Sequence, residues 1–180
     1  MVQYIQHRER GVLKMLLKGK SWKFPDNIST DHIAPGRLFH LRSNLPEFAK
    51  HVLEDADPEF ASKMSKGDFV VAGSNFGLGS SREHAPQIIK ISGVSAVIAK
   101  SFARIFYRNA INIGLLLLEC DTDKIDAGDE LEVDIQAGVI KNLTQNTEIT
   151  FTPLPDVMIK LLNDGGLVEH IKKNGDFQLV

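Results

Sequence analysis

The stretch Gly73-Ser-Asn-Phe-Gly77-Leu-Gly79-Ser80-Ser81-Arg82-Glu83-His84 holds the densest set of chemically able side chains in the sequence. Three glycines free the backbone for tight turns, and the loop ends on two hydroxyls and a guanidinium at the expected start of a helix. Unpaired N–H groups and the positive end of the helix dipole gather at such a place, so it suits an anion. Arg82 adds a planar fork that matches a carboxylate or a phosphate. The known phosphate and nucleophile loops are missing: there is no Gly-x₄-Gly-Lys-Ser/Thr, no Gly-x-Gly-x-x-Gly followed by an acidic strand end, and no Gly-x-Ser-x-Gly. Taken alone, a glycine-rich loop before a helix is also a common structural turn, and that reading stays open at this point.

A second polar cluster is Asn27-Ile-Ser-Thr30-Asp31-His32-Ile-Ala-Pro35-Gly36-Arg37, with His40 and Arg42 just after it. Asp31 beside His32 reads either as an acid–base pair or as a helix cap next to a surface imidazole. No metal site is expected from this chain. The histidines at 7, 32, 40, 51, 84 and 170 include no i, i+4 pair, and there is no Cys-x-x-Cys to accompany them. The sole thiol, Cys120, ends an apolar run and reads as core.

The elements that must position these residues follow from periodicity. Asp68 to Ala72 is predicted as a strand, Gly73 to Ser81 as a loop, Arg82 to Ile91 as a helix and Ser95 to Ala99 as a buried strand. A helix over Ser101 to Ile111 and a strand over Leu115 to Cys120 complete the pattern of a parallel α/β sheet. Right-handed crossovers place the glycine loop at a strand's carboxyl end, where such sheets bind ligands. Upstream, Gly11 to Phe24 reads as one or two strands and Ile28 to Ala34 as a short strand or loop. Two amphipathic helices follow, starting at Leu45-Pro46-Glu47 and Asp57-Pro58-Glu59. From Asp129 the period becomes two, and Glu130 to Ile135, Val139 to Leu143 and Glu148 to Phe151 form an antiparallel meander. Two helices, Leu154 to Asn163 and Leu167 to Lys173, close the chain around Gly165-Gly166. The expectation is one α/β domain with a parallel core and an additional antiparallel β-rich part.

Composition narrows the partners. A chain of 180 residues with 43% apolar and 24% charged residues can bury a core without a staple, and one cysteine excludes both an intrachain disulfide and a thiolate-rich metal or cluster centre built by this chain. A net charge of −2 gives no reason to expect nucleic acid or an anionic membrane. The charge is uneven, however: residues 1 to 23 carry six Lys or Arg and only Glu9, which reads as a solvated basic edge or as a docking surface for an acidic partner. No apolar run approaches a membrane span and the start has no secretory h-region, so the expected location is cytoplasmic.

The runs Asn75-Phe-Gly-Leu-Gly-Ser-Ser-Arg-Glu-His-Ala-Pro86 and Ala99-Lys-Ser-Phe-Ala-Arg-Ile-Phe-Tyr-Arg-Asn-Ala-Ile-Asn-Ile-Gly114, together with Trp22-Lys-Phe before Asp26-Asn27 and Thr30-Asp31, closely resemble one family. It is that of the 3-isopropylmalate dehydratase (isopropylmalate isomerase) small subunits, which also takes in homoaconitase small subunits and the C-terminal swivel domain of aconitase. The resemblance covers Met15 to the C-terminus. It leaves residues 1–14 as an N-terminal extension, expected to lack fixed structure, before a swivel domain over 15–180.

The resemblance implies a swivelling β/β/α domain that caps a separate large catalytic subunit. In the family that large subunit holds a 4Fe-4S cluster whose open iron acts on the substrate as a Lewis acid, and the small subunit supplies the other wall of the pocket. Matched residue by residue, Ser80 falls on the catalytic base, Ser81 and Arg82 on substrate-carboxylate contacts, and Asp31 on an acidic residue of the active-site lining. A serine hydroxyl is a poor base unless its alkoxide is stabilised, and Arg82 and helix-terminal N–H groups are the stabilisers at hand. The chain alone is then expected to be inactive. The default substrate is isopropylmalate, in leucine biosynthesis. A homocitrate or citrate enzyme is the near alternative, because Arg42 in Leu41-Arg42-Ser43 resembles the tricarboxylate readers. A stand-alone carboxylate- or anion-binding module is the alternative from another class.

Overall fold

The sheet is organised around one long strand. The computed structural model describes residues 5–9 and 12–175, with side chains described from Leu16 onward. Strand β1 (Ile5–Glu9) runs antiparallel to the first part of β2 (Val12–Lys23), with Ile5 opposite Leu16 and Glu9 opposite Val12. Then come the one-turn helix α1 (Thr30–Ile33), a 3₁₀ stretch over Gly36–Ser43, and two further short helices, α2 (Leu45–Phe48) and α3 (Phe60–Lys63). The central run is β3 (Phe69–Ala72), α4 (His84–Ser92), β4 (Ala96–Ala99), α5 (Arg104–Ile113) and β5 (Leu117–Glu119). Strands β6 (Glu130–Asp134), β7 (Val139–Asn142) and β8 (Thr147–Thr150) follow, and α6 (Asp156–Asp164) and α7 (Leu167–Asn174) end the described chain.

The strand order β5-β4-β3-β2-β6-β7-β8 joins two kinds of sheet through β2. Residues Ser21 to Lys23 of β2 pair in parallel with Phe69 to Val71, whereas Leu16 to Lys20 pair antiparallel with Glu130 to Asp134. The α/β architecture with a parallel core and an antiparallel part is therefore what the chain adopts. Strands β3 and β4 are buried at every position, as parallel strands covered on both faces must be, while β6 alternates exposed and buried. Alternation in β3 and β4 divides the core in two. Val70, Ala72, Val97 and Ala99 pack with Phe48, Ile88 and Phe106 on the face of α4 and α5, and Phe69, Val71 and Ile98 pack with Leu17, Leu131 and Ile140 on the other.

Two local expectations are corrected. Residues Ile28 to Ala34, expected as strand or loop, contain α1. Its cap is a reciprocal box in which Ser29 Oγ accepts from His32 N at 3.1 Å and His32 Nδ1 accepts from Ser29 N at 3.1 Å. The box has histidine where Glu or Gln is usual, so the local pattern hid it. The helix expected from Arg82 begins at His84. The carbonyl of Ser80 accepts both from Arg82 N (2.8 Å) and from Thr30 Oγ1 (3.2 Å), and this fixes a tight turn that cannot be helical. Ahead of Met15, Ile5–Glu9 pairs with the start of β2, while residues 1–4 and 10–11 lie outside the described part.

The basic excess at the start is partly balanced from inside the molecule. Lys18 pairs with Glu132 at 2.7 Å, and Lys23 donates to the carbonyl of Thr122, its pKa held below the usual lysine value by burial against the opposing pull of Asp123 and Asp126.

Candidate functional site

The glycine loop leaves the carboxyl end of β3 and is pinned on both flanks. On one side Phe76 pairs with Phe102, Asn75 N donates to Ser101 Oγ at 2.8 Å, and Phe76 packs edge-on against Phe106. On the other side Ser29 pairs with Leu78, and Thr30 N donates to the Leu78 carbonyl at 2.8 Å. The two polar clusters of the sequence are thus one structure, stitched together by main-chain bonds that span about fifty residues of chain.

Gly77 makes the turn between these flanks possible. Its φ is +79°, and a Cβ placed there would overlap the ring of Phe106, a residue buried in the core. Gly77→Ala is expected to cost about 2–5 kcal/mol through positive-φ strain and overpacking. Urea unfolding measures this directly, and a cost below about 1 kcal/mol would show that Phe106 does not clamp the turn.

Arg82 is the hub of the site. Its Nη1 donates to the carbonyl of Ala34 at 2.9 Å, its Nη2 lies 2.5 Å from Asp31 Oδ1, and its Nε donates to Ser80 Oγ at 3.2 Å. A guanidinium carries five N–H groups, so three are engaged and two remain for a ligand. The Arg82 side chain is only 19% exposed whereas that of Asp31 is 56% exposed, so the pair opens toward solvent from the Asp31 side. Gly36 lets the chain pass close by: a Cβ there would come within 3.2 Å of Asp31 Oδ1 and 3.8 Å of the Arg82 fork.

Asp31 and His32 do not form an acid–base pair, since His32 belongs to the α1 cap while Asp31 turns to Arg82. Ser81 is exposed beside Ser80. Arg42 stands on the 3₁₀ stretch with its guanidinium carbon 4.6 Å from the centre of the Phe39 ring, and that of Arg82 lies 6.0 Å from the same ring. Phe39 in turn meets the His84 ring edge-on at 5.3 Å. Burial, and then the charge of Arg82 with a smaller part from Arg42, hold the His84 imidazole below its ordinary pKa against the pull of Glu83, which favours its uncharged form. Arg37 is a structural cation, bridging Glu54 at 2.7 Å and also Asp55. Sequence pattern assigns no role to Phe39 or to the Ala34 carbonyl, and the one signal is a phenylalanine placed among Arg37, His40 and Arg42.

A family profile, the aconitase C-terminal domain, matches residues 26–123, a segment that contains Asp31, Arg42 and Ser80 to Arg82. The chain is 64% identical to 3-isopropylmalate dehydratase small subunit 2 of Archaeoglobus fulgidus, over 92% of this chain and 100% of the relative. It is 61% identical to small subunit 1 of Thermotoga maritima, with the same coverage of both chains. The chain belongs to the 3-isopropylmalate dehydratase small-subunit family. The fold agrees: a crystal structure of a 3-isopropylmalate dehydratase from Methanocaldococcus jannaschii superposes with a TM-score of 0.84 at 44% identity, covering 89% of this chain and 96% of that one.

The aconitase fold family implies an iron–sulfur cluster, and the described residues of this chain do not fit one. Among the described residues no three His, Cys, Asp or Glu side chains gather to hold a metal. Cys120 lies at the end of β5, and burial pushes its thiol up to about 11, far from the thiolate a cluster requires. Among the described residues no helix is long and apolar enough to cross a membrane.

Proposed function

We propose that this chain is the small subunit of a two-component hydro-lyase of the 3-isopropylmalate dehydratase type, which isomerises a 2-hydroxy acid in leucine biosynthesis by removing and re-adding water. The observation that carries the reading is the Ser80–Arg82–Asp31 arrangement: a serine oxygen 3.2 Å from a guanidinium that still has two N–H groups to offer a carboxylate. In this reading Ser80 Oγ takes the proton from the carbon beside a substrate carboxylate. Arg82 stabilises the serine alkoxide through Nε and holds that carboxylate with its free N–H groups, while Asp31 and the Ala34 carbonyl keep the planar fork aimed. Ser81 adds a hydroxyl donor. The 4Fe-4S cluster belongs to a separate large subunit in the cytoplasm, and isolated small subunit is inactive.

The test is to purify the chain alone and with its large subunit and to assay hydration of isopropyl-substituted, aconitate and homoaconitate substrates. Activity with the partner on the isopropyl substrate is expected. Turnover by the chain alone would sink the two-component reading.

A tricarboxylate substrate is the second reading, and Arg42 is the observation that favours it. Its guanidinium shares the Phe39 ring with Arg82, and no carboxylate pairs with it among the described residues. Arg42→Ala is expected to lower kcat/KM for tricarboxylates about 10–150-fold, the loss of one charge-assisted contact of roughly 1.5–3 kcal/mol, and to leave an isopropyl substrate within about threefold. Equal losses on both substrates would make Arg42 a structural residue.

A further inference from the structure

The described arginines divide sharply by what they touch. Arg37 is held by Glu54 and Asp55, Arg82 by Asp31, and Arg42 lies over Phe39. Arg104 and Arg108 have neither a carboxylate nor a ring partner among the described residues, and both are exposed. They stand one turn apart on α5, so they share a face. Between them Ile105 is 48% exposed, and beside them a shallow hollow of about 270 Å³ is lined by Phe102, Arg104, Tyr107, Arg108 and Glu119.

Folding of this chain gives no reason for that arrangement. Helix α5 buries Phe106 and Ala110 against the core, which already anchors it. Arg104 occupies the first helical position with no acidic residue in the first turn, so its charge opposes the positive end of the helix dipole. An isoleucine flanked by two arginines that no carboxylate pairs among the described residues, with a tyrosine and a phenylalanine at the edge of a hollow, has the composition of an interface centre, where Arg and aromatic residues are enriched and lysine is depleted. The patch is also well placed. Phe102, on its rim, pairs with Phe76 of the glycine loop, so the face adjoins the loop that carries Ser80.

We infer that the Phe102–Arg108 face of α5 is a docking surface for the large subunit, engaging an acidic segment of it through Arg104 and Arg108 and an apolar side chain over Ile105. This rests on the two-component reading above. A partner seated there lies beside the Asn75–Phe76 flank of the glycine loop. Both arginines are on one rigid helix, so the contact sets register as well as attraction.

The test measures binding of the purified chain to its purified large subunit by calorimetry at low and moderate salt. Arg104→Glu/Arg108→Glu is expected to weaken Kd by at least 30-fold with unchanged circular dichroism and Tm, and kcat at saturating large subunit is expected to return to near the unmodified value. Ile105→Ser is expected to weaken Kd about tenfold, and the unmodified Kd is expected to rise with salt. Ser80→Ala, the control, is expected to bind normally. A double variant that binds within threefold of the unmodified chain would overturn the inference while leaving the two-component reading intact. Self-association of the unmodified chain that the double variant abolishes would assign the face to a second copy and overturn it equally. No binding by the unmodified chain would remove the two-component reading, and the docking surface with it.

Discussion

Replacing Ser80 by alanine is expected to lower turnover of the assembled two-subunit enzyme by about 10²–10⁴-fold, the usual worth of a positioned proton acceptor, with fold and subunit association unchanged. Structural cost should be small because Ser80 is exposed and its hydroxyl is held only by Arg82 Nε at 3.2 Å. The bonds that shape the turn, from Thr30 Oγ1 and Arg82 N, end on the Ser80 carbonyl, which alanine retains. Loss of one exposed hydrogen bond costs about 1 kcal/mol. The defect should lie in kcat, with KM little changed, since the substrate carboxylate is assigned to Arg82 and Ser81 and not to Ser80. The decisive measurement is steady-state kinetics beside thermal unfolding and subunit titration. An alanine variant with more than a tenth of normal kcat would remove Ser80 as the base, and a collapsed Tm would make its role structural.

The parallel core was legible because its strands are continuous apolar runs separated by glycine and helix-period segments. Strand β3 and helix α5 fall within a few residues of their expected bounds, and the meander of β6, β7 and β8 follows from its two-residue period. Pattern could not supply what depends on distant chain. The fork of Arg82 is visible in its residue type, but its anchorage to Asp31 and Ala34, 51 and 48 residues upstream, is a tertiary fact that no local window contains. The same holds for the ring of Phe39, which gathers Arg42, Arg82 and His84 only once the 3₁₀ stretch folds over the start of α4. The anion site is also less simple than its local pattern. The pattern predicts a helix N-terminus at Arg82, directly after Ser80, yet α4 starts at His84, so the fixed positive group beside Ser80 is the Arg82 side chain rather than the end of a helix.

That shift of emphasis makes Arg82→Lys the most discriminating conservative change. Lysine keeps the charge but concentrates its donors on one nitrogen, whereas the guanidinium reaches three acceptors in different directions: Ser80 Oγ, the Ala34 carbonyl and Asp31. A lysine ammonium drawn to Asp31, its strongest attractor, would leave Ser80 without a cationic partner and offer no planar pair of N–H groups to a carboxylate. Two charge-assisted contacts of about 1.5–3 kcal/mol each are lost, and kcat/KM is expected to fall about 10²–10⁴-fold. The loss should divide between kcat and KM, unlike that of Ser80→Ala, because Arg82 serves both the base and the substrate. A small fall in Tm is expected as well, since the Ala34 carbonyl loses its donor in a buried position. Full kinetics on both variants separates the roles: a lysine variant within tenfold of normal kcat/KM would mean that point charge alone suffices, and the fork geometry would then have no part in stabilising the Ser80 alkoxide.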